Sequence, residues 1–322
     1  GASLTIDGSG LENEKIAVSL VSETNGAVTV KGGAGADAIT GSASDLGDNL
    51  QGGAGADVFT FATANFTSLD TVAGGDGNDI IISSDAATIV DADFTNVTGV
   101  EEINGVASAA LTVTLGSLAS AAGITTIDTV AGETNTITIG SGFTNDFTYD
   151  LGASAATTVF SAAAYTGVLT VKADLGDVVT SADTITGGTG TSDTFQISGD
   201  GITDDIAATQ AVGITAFETW EITDNRDYSI TTNEKNVADG KTLTINANKL
   251  TAKKLTFDGS AENDGKFIIN ATGTKAHAIT LGNGADTYTS ASTGADVVTA
   301  TAGNNTISTG DGADVITGGT GA

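Results

Sequence analysis

The sequence predicts an all-β protein. It reads as parallel β-roll or β-solenoid segments combined with further β-solenoid or β-sandwich modules, and three observations lead there. A nine-residue pattern, G-G-x-G-x-D-x-U-x with U apolar, recurs along the chain. The composition, with 44 Gly and neither Pro, Cys nor Met in 322 residues, is dominated otherwise by Ala, Thr, Asp, Ser, Val and Ile. β-branched residues suit a pleated, half-buried surface, and Gly and Asp suit tight turns. Alternating runs such as Leu111-Thr112-Val113-Thr114-Leu115, Thr136-Ile137-Thr138-Ile139 and Thr242-Leu243-Thr244-Ile245 mark strands with one buried face.

Taken along the chain, four segments are expected. Residues 1–83 hold N-terminal strands and a first repeat block, with full copies at 32–40, 52–60 and 74–82. A longer, degenerate copy over 41–51 places Asp48-Asn49-Leu50 at the D-x-U positions. Residues 84–200 form a β-rich module with an isolated relic at 187–195 that carries one inserted residue. Residues 201–280 form another β-rich module and hold eight of the eleven basic residues, between Arg226 and Lys275. That cluster reads either as solvated strand faces or as a contact for an acidic polysaccharide or an acidic neighbouring subunit. Residues 281–322 are a second repeat block, with looser copies at 281–289, 291–299, 300–308 and 309–317. The opening of a fifth at Gly318 to Ala322 leaves its last site short of an Asp and suggests a chain cut from a longer protein. Only 117–122 and 205–212 read as helical, and both are too short to organise a domain.

The repeat has a physical logic. Its first six residues turn tightly and bring backbone carbonyls near a shared cation, which glycine permits. The Asp adds a carboxylate, and calcium takes six to eight hard oxygen ligands. The remaining residues form a strand whose U side chain points inward: Ile39, Phe59, Ile81, Val298, Ile307 and Ile316. Two repeats make one coil of a parallel roll, so Asp37 is expected to stack on Asp57, Asp286 on Asn305 and Asp296 on Asp314. The candidate metal ligands are Asp37, Asp48, Asp57, Asp79, Asp193, Asp286, Asp296, Asn305 and Asp314. The backbone carbonyls of Gly33, Gly35, Gly53, Gly55, Gly75, Gly77, Gly310 and Gly312 complete the set, for several Ca2+ ions. The Asn305 site has one charge fewer and is expected to be weaker.

These copies resemble the RTX (repeats-in-toxin) β-roll, whose members are calcium-binding proteins exported by type I secretion. Gly99-Val100-Glu101-Glu102-Ile103-Asn104 and Ile214 to Ile222 further look like the G-[hydrophobic]-E-x-[hydrophobic] segments of surface-layer proteins of Gram-negative bacteria. What the resemblance implies is a secreted, calcium-dependent subunit that assembles with copies of itself into a two-dimensional coat on the cell surface. Lipopolysaccharide or another acidic polysaccharide is the implied anchor. The alternative is the repeat region of a type I-secreted adhesin, toxin or hydrolase.

Composition narrows the rest. Forty acidic against eleven basic residues give a net charge of −29, so nucleic acid, which needs a basic surface, is an improbable partner and cations a natural one. A merely soluble acidic surface is the other reading of that charge. No run approaches 18 apolar residues, and Gly1 to Ile6 has neither the basic nor the apolar part of a signal peptide. No H-E-x-x-H or G-x-S-x-G motif occurs, and the single His277, in an alternating strand, reads as a surface or edge residue. A carboxylate pair of the glycosidase kind cannot be singled out among 40 acids. Trp220 and the four Tyr read as core residues. The expectation is a structural protein rather than an enzyme.

Overall fold

Short alternating strands need a partner on each side, and a chain whose polar corners recur along its length can supply one by coiling back over itself. The computed structural model describes residues 3–44, 46–106, 109–129, 133–151, 157–174, 179–199, 201, 203–300 and 302–319. Within them every strand pairing is parallel, each strand lying on its equivalent one coil later, and the fold is a parallel β-solenoid. The described stretches between the repeat blocks are built of the same parallel coils, so no sandwich module is needed.

The chain divides into two compact units. The first comprises Gly1–Asp150 and Ala162–Gly167. Its longest sheet runs Ala17–Ser19, Ala38–Thr40, Val58–Phe61, Ile80–Ser83, Glu102–Asn104, Thr126–Asp128, Phe147–Asp150. In register, Val18, Ile39, Phe59, Ile81, Ile103, Ile127 and Tyr149 form one column through the core. A second sheet stacks Ile6, Val30, Leu50, Val72 and Val97, and a third stacks Ile89, Val113 and Ile137. The single turn of helix Ser117–Ala122 ends on Gly123 at φ 113°.

The second unit comprises Leu151–Ser161 and Val168–Ala322. Its longest sheet aligns Val171, Phe195, Trp220, Ile245, Ile269, Tyr288 and Ile307. A second column runs Ile206, Ile230, Phe257, Ile279, Val298, Ile316. The second predicted helix is Ala208–Ala211. Coil length is not constant. Val297 pairs with Val315, 18 residues on, the length of two nonapeptides, whereas Tyr228 pairs with Leu255, 27 residues on.

Two expectations about side chains are corrected. Ile39, Phe59, Ile81 and Val298 are buried, but Ile307 is only half-buried and Ile316 is 52% exposed, because the last coils are packed from one side. His277 is neither at the surface nor at an edge: it is buried at the corner before Ala278–Thr280. Trp220 and Tyr149, Tyr165, Tyr228 and Tyr288 are core residues. Among the described residues no helix is long and apolar enough to cross a membrane.

Truncating a ring in the central column leaves a void that parallel neighbours cannot fill. Phe59→Ala should cost about 3–5 kcal/mol, and Val315→Ala, on a side chain 53% exposed, less than about 0.5 kcal/mol. Urea unfolding in saturating calcium measures both.

Candidate metal centre

Where the chain turns from a corner into its strand, one backbone N–H falls outside the inter-strand ladder and needs an acceptor. The sixth residue of the repeat provides it. Asp57 Oδ1 accepts the N–H of Asp37 (2.7 Å), Asp79 Oδ1 that of Asp57 (2.7 Å), and Asp37 Oδ1 that of Ile16 (2.8 Å). In return the Asp37 carbonyl accepts the N–H of Val58, and the Asp57 carbonyl that of Ile80. Successive corners are thus tied by a reciprocal pair of bonds. The second block repeats the arrangement: Asp286 N–H donates to Asn305 Oδ1 (2.8 Å) and Asp296 N–H to Asp314 Oδ1 (2.8 Å). Asp37 therefore stacks on Asp57, Asp286 on Asn305 and Asp296 on Asp314.

Not every candidate ends in the same state. Asp37 Oδ2 accepts the Gly33 N–H, and Asp296 Oδ2 the Tyr288 hydroxyl. Asp48 belongs to a ladder at another corner, where it takes the Val28 N–H and the Ser42 N–H and hydroxyl and gives its own N–H to Asp70. By contrast Asp57 Oδ2, Asp79 Oδ2, Asp193 Oδ1 and Asp286 Oδ2 are buried and accept no hydrogen bond. Asp57, Asp79 and Asp286 are the sixth residue of a repeat, and Asp193 holds the equivalent place in the relic, one residue later because of its insertion. A buried carboxylate oxygen without a partner carries a large desolvation penalty unless a cation neutralises it.

The titration of these groups follows. Burial, reinforced by the charges of Asp79 and Asp37, pushes Asp57 up to about 6, although its bond from the Asp37 N–H opposes the shift. Burial, with the charge of Glu218, pushes Asp193 to about 6. Asp79, Asp70 and Asp286 are raised as well, burial being the largest cause each time.

Backbone oxygens converge on the same points. A Cβ on Gly52 would collide with Asp57 Oδ2 and lie 2.7 Å from the Gly74 carbonyl oxygen. One on Gly74 would collide with Asp79 Oδ2 and the Gly99 carbonyl oxygen. The cradle exists only because both are glycine. The carbonyls beside the carboxylates are thus those of Gly52, Gly74 and Gly99. Those of Gly33, Gly35, Gly53 and Gly55 face the α-carbon of the glycine one coil on, and that of Gly75 lies near Gly99. Gly77, Gly310 and Gly312 adopt φ of 147°, 78° and 144°, which glycine tolerates at such turns.

Further ladder members lie outside the candidate set, Glu101, Glu218, Asp70 and His277 among them. Glu101 accepts the Asp79 N–H (2.8 Å) and Glu218 the Asp193 N–H (2.9 Å). Each belongs to a G-[hydrophobic]-E-like segment, and each follows a residue at φ 60°, Gly99 or Ala216, whose carbonyl faces a glycine one coil earlier. That motif is a repeat corner with Glu in place of Asp. Asp70 precedes Thr71–Asp76 with no glycine pair before it. His277 takes the Leu255 N–H on Nδ1 (3.0 Å), gives its own N–H to Asp296 (2.8 Å) and sets Nε2 3.2 Å from the Thr272 carbonyl oxygen. Burial lowers its pKa, against the pull of Asp296. An acceptor followed two residues later by a core side chain, as in Asp70-Thr71-Val72, Glu101-Glu102-Ile103 and His277-Ala278-Ile279, is the signal that would have found them.

Four segments of the chain, residues 24–45, 42–60, 69–87 and 290–322, match the RTX calcium-binding nonapeptide repeat. Neither a curated protein nor a solved structure matches the chain. The matched segments are the two repeat blocks, and their repeats are calcium-binding. Paired carboxylate and carbonyl oxygens in a glycine cradle, with a lone buried oxygen at each of several corners, fit a hard cation of that kind.

Two tests follow. Raised carboxylates stabilise the fold below their ordinary pKa of 3.8, and that stability is lost as pH rises through about 6. In chelator the fold should therefore be more stable at pH 4.5 than at pH 7, and calcium should matter most above pH 6; urea midpoints at both pH values measure this. Asp57→Asn keeps the acceptor for Asp37 and removes the charge. At pH 7 it should stabilise the calcium-free chain by on the order of 1–2 kcal/mol, after allowing for solvent screening, and weaken the calcium-loaded one. The crossing of sign is the readout.

Proposed function

We propose that this chain is a lattice-forming part of a bacterial surface layer, secreted unfolded and folded outside the cell by calcium. The observation that carries the reading is the set of four buried, unpartnered carboxylate oxygens at repeat corners. Without a divalent cation they oppose closure of the coils, and with one their binding energy becomes folding energy. Inside a cell, where free calcium is scarce, the chain stays open enough for export; outside, millimolar calcium closes it.

The role is structural rather than catalytic. Both nitrogens of the single His277 face backbone groups, and the ladder acids are occupied in holding corners. The coat reading, against a toxin or hydrolase tail, is supported by the way the repeats are distributed. They form two blocks within one kind of coil, and the coils between reuse the same corner through Glu101 and Glu218 rather than ending the solenoid. Copies of the chain are the main partner, with calcium at subunit contacts coupling lattice growth to folding. Most of the basic cluster, including Lys235, Lys241, Lys249, Lys254, Lys266 and Lys275, is solvent-exposed and offers a face for lipopolysaccharide or another acidic polysaccharide.

A calcium titration followed by far-UV circular dichroism, with negative-stain electron microscopy of the same samples, tests the proposal. Calcium, but not equimolar magnesium, should bring β structure and then ordered sheets. Folding without sheets would leave the repeat region of an adhesin, toxin or hydrolase; no response to calcium would remove both readings.

A further inference from the structure

A second concentration of acid lies away from the repeat corners. The short helix Glu234–Asn236 and the loop over residues 259–265, which joins the strands Leu255–Asp258 and Lys266–Gly273, meet one coil apart, as the pairing of Thr231 with Asp258 requires. Here one carboxylate oxygen from each of Glu234, Glu262 and Asp264 lies within 4.8 Å of the others.

Three carboxylates near a surface loop commonly stand together without an ion. Glu262 separates this group from that ordinary case. Its side chain is fully buried, folded back over its own loop so that Oε1 accepts the N–H groups of Asp264 (3.1 Å) and Gly265 (2.7 Å). Its Oε2 is buried and has no hydrogen-bond partner. Glu234 is held from the neighbouring coil, Oε2 accepting both the N–H (3.0 Å) and the side-chain amide (2.7 Å) of Asn263. Among the described residues the ion pairs within 4.0 Å are Lys31–Asp7, Arg226–Asp224 and Lys253–Asp227, so no lysine or arginine neutralises the three acids. Burial, then the charges of Glu234 and Asp264, raises the pKa of Glu262; partial desolvation, then Asp239 and Glu234, raises that of Asp264.

We propose that Glu234, Glu262 and Asp264 bind a further calcium ion, in a site built by two successive coils and independent of the nonapeptide repeats. Glu262 gives the buried oxygen, Glu234 and Asp264 close the site from the solvent side, and water fills the remaining positions of an oxygen shell that calcium accepts readily. The ion would clamp the loop to the coil before it. This corner carries no glycine-rich repeat, and a bound ion there ties the coils as the repeats do elsewhere.

The experiment is a count of calcium bound to the full, folded chain at saturating calcium, by equilibrium dialysis and atomic absorption. Glu234→Gln with Asp264→Asn changes the two solvent-side acids. The double variant should fold, by circular dichroism, and bind one ion fewer per chain. Glu262→Gln, which keeps an acceptor for the loop N–H groups, should do the same or bind the last ion at least tenfold more weakly. An unchanged count and affinity in both folded variants overturns the site. Asp57→Asn serves as the control for the repeat corners: loss of an ion there with none lost at Glu234 and Asp264 would leave the repeat reading standing and this one refuted.

Discussion

One hydrogen bond organises this protein: from the backbone N–H at each corner to the side chain of the equivalent residue one coil later. With the carbonyl bond returned in the opposite direction, as between Asp37, Asp57 and Val58, it fixes the height and register of each coil before a strand residue is placed. A charged acceptor makes the bond worth more, about 1.5–3 kcal/mol. It also places one carboxylate above another at the spacing of paired strands, about 4.8 Å, in a corner that excludes water. Attraction to backbone and repulsion between neighbours therefore reside in the same atoms, and a divalent cation removes the second while leaving the first.

Register set at the corners explains how coils of such different length share one core. Between Val297 and Val315 the coil has no residues beyond two repeats, and between Tyr228 and Leu255 it has nine more. Yet the residue two places after a ladder position enters a core column of its unit: Phe59 after Asp57, Ile103 after Glu101, Trp220 after Glu218, Ile279 after His277. Extra residues are placed in loops, where closure entropy grows slowly with length. The loop holding Glu262 is one such insertion.

This division also decides what could be read from the sequence. The parallel roll and the stacking partners of Asp37, Asp286 and Asp296 follow from the spacing of Gly, Asp and U, and the two short helices were legible in their own segments. Glu101 and Glu218 were visible as a motif without a role, because their part in the ladder depends on an N–H one coil away. Asp70 and His277 lacked the glycines that announce a corner, and the alternation around His277 suggested an exposed edge when its ring is turned inward. Glu262 is harder still: the oxygen it leaves unpaired is set by how its own loop folds beneath the neighbouring coil, which no local pattern encodes.

The choice of acceptor along the ladder then becomes the variable by which the solenoid distributes buried, unpaired charge. Asn305 accepts the Asp286 N–H and gives its amide to the Ala302 carbonyl. Asn135 accepts the Leu111 N–H and points its amide at the Glu133 carbonyl. Neutral His277 accepts from Leu255 and faces a carbonyl with its other nitrogen. In each case the corner bond survives, a second polar atom is occupied, and no charge is buried, so the penalty that calls for a cation does not arise. The side chains of these residues leave no buried oxygen unpaired, whereas Asp57, Asp79, Asp193 and Asp286 each do. Buried, unpaired charge here is a property of individual corners, assigned residue by residue, and not of the fold as a whole.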